Sequence, residues 1–234
     1  MNTPRVLYRR VRRAVNCAVG RDIRFAPQTR VPAVSLGSEY GAWSVCPRNL
    51  GADAIVYAAG IGTDISFDLA LIERYGVTVR AFDPTPASIA WLETQQLPDR
   101  FTWRQVGLAA YDGQATFFPP DNPAWVSHSM LQRGSAAAAT IDVEVRRVST
   151  LMRELGHGRI DVLKMDIEGA EYDVIDDILA SGVNVGQLLV EFHHRFSGVG
   201  VERTRRAVAR LNQSGYRIFA VSESGEEYSF IRPE

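Results

Sequence analysis

Three carboxylates fall within six residues in the stretch DVLKMDIEGAEYDV, residues 161–174: Asp166, Glu168 and Glu171. Acids that close repel one another, so their grouping asks for a reason. They can start a helix, where the macrodipole favours each by about 0.3–1 kcal/mol, they can hold a cation, or they can move protons. Glu168 and Glu171, three apart at the start of a helix, are expected to share a face, and Gly169 between them points to close packing or ligand approach. A second group follows in VEFHH, where Glu191, His193 and His194 end an apolar run. Strand alternation puts Glu191 and His193 on one face and His194 on the other. A divalent metal is the competing use of Asp166, Glu168, Glu171, Glu191 and His193. Their spacing matches no dedicated metal loop, and the site reads as metal-free.

A glycine loop precedes these groups. In AAGIGTDISFD, Gly60 and Gly62 remove Cβ atoms where a strand turns into a helix, so a ligand can approach the backbone. Thr63 or Asp64 is placed to cap that helix. A dinucleotide fingerprint needs a third glycine where Ile65 stands, and Asp64 would oppose a pyrophosphate at the helix N-terminus. Both argue against an NAD-dependent oxidoreductase. A cofactor carrying a positive sulfonium and an amino group suits the acidic rim better. Asp83, in FDPT, stands 23 residues beyond Gly60, near the roughly 20-residue offset of a carboxylate that accepts ribose hydroxyls. Gly107 and Leu108, in QVGLAA, offer backbone and apolar surface to adenine. Three strand ends thus converge on one adenosine-containing ligand. The loops SEYGAWSV and PAWVSHSM add Tyr40, Trp43, Trp125, His128 and Ser129 as walls for an acceptor.

The elements that must position these groups alternate from Ala54 onward. AIVYAA, TVRAFD, FTWRQVGL, RIDVLKMD and QLLVEFHH read as strands, and helical stretches lie over 64–76, 86–96, 168–182 and 201–215. STLMRELG reads as a short helix with Ser149 as N-cap. The region 110–147 breaks the alternation with two short strand-like pieces, and the tail reads as a hairpin around Gly225. The expected fold is α/β, a doubly wound, mostly parallel, seven-stranded sheet with an antiparallel edge hairpin at its C-terminal end.

Residues 1–24 read as a basic amphipathic helix, 25–50 as a linker that also lines the pocket, and 51–234 as the main domain. Eight arginines against one acid, Asp22, occupy residues 1–30. The whole chain of 234 residues carries a formal net charge of -1, which gives no general attraction to nucleic acid. Cys17 and Cys46 are the only cysteines, too few for a disulfide framework, so the expected setting is cytoplasmic. No apolar run reaches the roughly 18 residues of a membrane span. The basic helix offers instead a peripheral contact with the inner face of a membrane.

VYAAGIGTDISFD, FDPTP, DVLKMDIEGAE and LLVEFHH, in that order, resemble the FkbM family of S-adenosylmethionine-dependent methyltransferases, over roughly residues 36–231. The resemblance implies a class I, Rossmann-like fold and O-methylation of a hydroxyl on a sugar, glycolipid or polyketide-like molecule. It also implies a cofactor pocket lined by Gly60, Gly62, Asp64, Asp83 and the Gly107 region. Thr63, Leu108 and Asp166 join that expected lining. The attacking hydroxyl must lose its proton, so a base near neutrality helps. His193 is the expected general base, oriented by Glu191 or Glu171, with Asp166 facing the transferred methyl. The alternative is a non-catalytic domain that only holds an adenosine ligand.

Overall fold

The computed structural model describes residues 11, 13–119, 128–131 and 140–232. Its centre is a seven-stranded sheet. β3 (Ile55–Ala59), β4 (Thr78–Phe82), β5 (Phe101–Arg104), β9 (Ile160–Met165) and β10 (Val185–Glu191) run parallel, and β11 (Arg217–Val221) with β12 (Glu227–Ile231) form the antiparallel edge. The order is β11-β12-β10-β9-β3-β4-β5. From β3 the chain steps outward to β4 and β5, then returns to β9 on the other side of β3. That reversal opens a crevice at the carboxyl ends of β3 and β9.

The strands are apolar on both faces because helices cover both faces. Val56, Ala58, Val79, Ala81, Val162 and Leu189 pack toward α1 (Ser66–Tyr75) and α2 (Pro86–Leu92). Tyr57, Ala59, Leu163, Met165, Leu188 and Val190 pack toward α3 (Val148–Leu155), α4 (Glu171–Ser181) and α5 (Val201–Gln213). Each fully buried branched side chain here stabilises the fold by about 1.5–3 kcal/mol. Gly76 and Gly182 end α1 and α4 in the left-handed conformation, at φ 66° and 67°, as helix-stopping glycines do.

The segment expected to be a linker is built into the fold. β1 (Val34–Leu36) and β2 (Trp43–Val45) form an antiparallel hairpin over the sheet face where Gln187 points. Gln187 accepts the Cys46 N–H and donates to the Cys46 carbonyl, both at 2.8 Å. Ser229 Oγ donates to the Ser44 carbonyl at 2.7 Å. The hairpin does there what a helix does elsewhere on the same face.

Other expectations change. FTWRQVGL is two strands, not one: the Val106 N–H turns back to the Arg104 carbonyl at 2.9 Å, and β6 (Gly107–Leu108) joins a separate sheet. That sheet, ordered β6-β8-β7, contains the two strand-like pieces as β7 (Gly113–Phe117) and β8 (Ile141–Arg146). Ser149 is not an N-cap, since α3 begins at Val148 after Arg147. Asp112 supplies the acceptors instead, taking the Arg147 N–H and the Thr150 hydroxyl at 2.8 Å each. The helix placed at 168–182 starts only at Glu171.

Of the basic N-terminal segment, residues 13–18 are helical. Its stripe of Val11, Val15 and Val19 is 54–59% exposed, so the valines do not pack on the domain. The contact comes from Arg13, which donates to the carbonyls of Ile23 and Glu223 at 3.4 and 3.3 Å. Among the described residues no helix is long and apolar enough to cross a membrane.

Candidate active site

The crevice holds a cleft of about 260 Å³. Its lining includes the apolar Phe82, Pro84, Leu108 and Phe117 and the acids Asp64, Asp83, Asp166, Glu168, Glu191 and Glu227. Lys164 is the only lysine or arginine among the described residues lining it. Gly60, Gly62, Thr63 and Gly107 also line it, as do Tyr40, Trp43 and His128.

The glycines act differently. At Gly60, φ is 77° and a Cβ would lie 1.7 Å from the Asp166 carbonyl oxygen, so its absence lets the ends of β3 and β9 close on each other. Gly62, at φ 56°, faces open space. Its N–H and that of Ile61 both donate to Asp83 Oδ2, at 3.1 and 2.9 Å. Asp83 Oδ1 accepts the Thr85 N–H and hydroxyl at 2.9 and 2.5 Å. The Asp83 carboxylate, expected to meet ribose hydroxyls, therefore has its acceptor positions engaged within the protein. It staples the glycine loop to the end of β4.

Asp64 does not occupy the N-cap position, which falls on Ile65, and neither does Thr63. Asp64 nevertheless receives the Ser66 N–H at 2.8 Å and the Ser38 hydroxyl at 2.6 Å. Burial would raise its pKa, but those hydrogen bonds prevail and hold it below the ordinary carboxylate value. A permanent negative charge thus sits on the rim. Lys164 donates to the Gly60 carbonyl at 2.7 Å and lies over the Trp43 ring, 5.4 Å from its centroid. Trp43 is 5% exposed and serves mainly as the floor under this lysine. Tyr40, 90% exposed, stands at the mouth.

DIEGAE is a turn wound about one carboxylate. Glu171 Oε1 accepts the N–H groups of Ile167 and Gly169 at 3.2 and 3.1 Å and binds His193 Nδ1 at 2.7 Å. To make that turn, Glu168 takes φ 55°, a left-handed conformation uncommon outside glycine. It therefore shares no helical face with Glu171. Gly169 follows at φ 102°, where a Cβ would meet Leu131 Cδ1 at 2.4 Å. Backbone strain of this kind concentrates at functional sites.

His193 is 5% exposed and lies behind the cleft wall. Its Nε2 sits 3.6 Å from Asp166, 3.7 Å from Glu168 and 3.9 Å from Glu191. Burial would lower its pKa, but Glu171, Asp166 and Glu168 outweigh it and push it well above the ordinary histidine value. The residue expected as general base thus has its Nδ1 bound to Glu171 and is not among the residues lining the cleft. Burial, with Asp166 next in weight, pushes Glu191 up to about 9. Withdrawal from solvent likewise raises Asp166, though a third of its side chain stays exposed to the cleft.

Ser129 does not line the cleft. It pairs with Phe118 through both backbone groups, which turns its hydroxyl onto the Glu168 carbonyl at 2.6 Å. Trp125 lies outside the described residues. Glu227 was not foreseen: it reaches the cleft because β12 pairs beside β10, opposite Glu191, a long-range match with no local signal.

Comparison with known proteins identifies the family. The profile described as "Methyltransferase FkbM domain" matches residues 10–218. Two relatives named "Probable methyltransferase-like protein 24", from Homo sapiens and Rattus norvegicus, are 28% and 26% identical and cover 70% of this chain. The chain spans about two fifths of the length of these curated relatives, 41% and 42%. Among solved structures it is similar to methyltransferase FkbM from Methylobacillus flagellatus KT, at 14% identity and TM-score 0.49, over 77% of this chain and 44% of that one.

Proposed function

Since this chain belongs to the methyltransferase FkbM family, we propose that it methylates a hydroxyl of a sugar, glycolipid or polyketide-like molecule with S-adenosylmethionine as donor. The observation that carries the reading is the mixed lining of the cleft, which combines apolar Phe82, Pro84, Leu108 and Phe117 with the acids Asp64, Asp166, Glu168, Glu191 and Glu227. A flat adenine suits the apolar residues; a sulfonium and an ammonium suit the acids. When bound, the cofactor supplies a methyl group open to displacement at a positive sulfur. The protein's part is to bind, orient and take up a proton.

Gly62 and the Asp83 staple shape the loop against which the donor lies, and Asp64 offers its fixed charge to the amino group. Asp166, at the end of β9 and partly open to the cleft, accepts the hydroxyl proton. His193 and Glu171 position it from behind. The surplus of carboxylates disfavours a nucleic-acid acceptor, whose phosphates they would repel.

A screen of hydroxylated sugars, lipids and macrolides with labelled cofactor tests the reading. Asp166→Asn should lower kcat by roughly 10²–10⁴ on any substrate found. Calorimetric binding of S-adenosylhomocysteine with no turnover on any acceptor would favour a non-catalytic adenosine-binding domain. Binding of NADH in its place would end the methyltransferase reading.

A further inference from the structure

We propose that Asp166, Glu191 and His193 form a divalent-cation site at the acidic end of the cleft. The three come from the ends of β9 and β10, adjacent parallel strands, so sequence spacing cannot reveal them as a set. One donor atom from each lies within 4.8 Å of the others.

A cluster of acids alone would not be a site, and the imidazole is what distinguishes this one. His193 is 5% exposed, and its Nδ1 is fixed by Glu171 at 2.7 Å. Its Nε2 faces Asp166, Glu168 and Glu191 at 3.6, 3.7 and 3.9 Å, beyond hydrogen-bond distance, and a bound cation would take the place of its proton there. A buried carboxylate holding one ring nitrogen while the other faces outward is how metal-binding histidines are oriented. Glu171 is itself held by the N–H groups of Ile167 and Gly169, so the ring cannot swing away. Metal–ligand distances of about 2.0–2.2 Å put neighbouring donors roughly 3.0–3.6 Å apart. The two separations from His193 Nε2, 3.6 and 3.9 Å, lie within a few tenths of an ångström of that range, and the third pair lies within 4.8 Å.

Two carboxylates and one imidazole suit a cation that accepts both oxygen and nitrogen, and Mn²⁺ meets that requirement. Two of the three ligands line the cleft, leaving open positions toward it. The role of such a cation rests on the methyl-transfer reading: it would hold the acceptor oxygen beside Asp166 and ease loss of its proton. Its existence does not rest on that reading.

The test is direct Mn²⁺ binding to the full chain, followed by electron paramagnetic resonance, with S-adenosylhomocysteine binding measured separately by calorimetry. One Mn²⁺ per chain is expected, weakened at least tenfold by Glu191→Gln and by His193→Gln and unchanged by the surface variant Asp142→Asn. Glu191→Gln keeps the size of a cleft-wall side chain, so it serves if His193→Gln fails to fold. Absence of stoichiometric Mn²⁺ binding, or binding indifferent to Glu191→Gln, overturns the proposal. If S-adenosylhomocysteine still binds in that case, the methyltransferase reading stands without the metal. If Mn²⁺ binds as expected and S-adenosylhomocysteine does not, the metal site stands and the cofactor reading falls.

Discussion

Single side chains here carry several partners each, and their removal should show it. Glu171 is fully buried and serves two N–H groups and an imidazole through one oxygen. Glu171→Ala should lower stability by about 3–5 kcal/mol in urea unfolding, because it leaves two backbone N–H groups and His193 Nδ1 without their partner. Glu171→Gln keeps an acceptor oxygen and should lose less. Asp68 behaves oppositely. Burial, only partly offset by Lys164, pushes its pKa up to about 6 from 3.8. Between those values the folded state binds more protons than the unfolded chain, so this group's contribution falls as pH rises through that window and stays low above it. Asp68→Asn should therefore raise stability at pH 8, by at most about 3 kcal/mol, and change little at pH 4. A thermal-unfolding series across pH checks this; an equal gain at both ends would refute it.

An element is legible in the sequence to the degree that its cause is local. Gly76 and Gly182 stop helices through their own backbone freedom, and the apolar strands declare themselves by composition; both were legible. The split of FTWRQVGL was not, because it depends on β8 offering a second sheet to Gly107 and Leu108. The 25–50 segment read as linker because its strands are only three residues long, and their fastening depends on the distant Gln187. Gln187→Ala should cost about 2–3 kcal/mol by orphaning both backbone groups of Cys46. Gly60 and Gly62 looked equivalent in the sequence; only the packing of β9 separates them. Gly62→Ala should cost about 1–2 kcal/mol for its left-handed backbone alone. Gly60→Ala adds a collision with the Asp166 carbonyl and should also abolish S-adenosylhomocysteine binding in calorimetry. The candidate site was legible where its residues sit in local motifs, as Gly60, Asp64 and Asp166 do. It was not legible where strand pairing supplies them, as with Glu227.

At the scale of the whole molecule, segments far apart in sequence lock the loop that follows β10. Asp22 is buried and bound by His194 at 2.9 Å and by Arg195 at 2.7 Å; Arg195 also pairs with Glu226. Burial alone would raise the Asp22 pKa, but these partners hold it below 3.8. Its stabilising contribution is complete above that value and disappears as pH falls through the lowered one. Asp22→Asn should lower stability at neutral pH and flatten the acid limb of the profile below about pH 4, which a comparison of unfolding midpoints would show. The place of β12, between β10 and β11, sets an order in time. During translation β10 emerges well before its neighbour, and its outer edge has no partner until residues 227–231 follow. Glu227 arrives with them. A nascent chain therefore carries the donor-side half of the cleft before the acidic wall is complete.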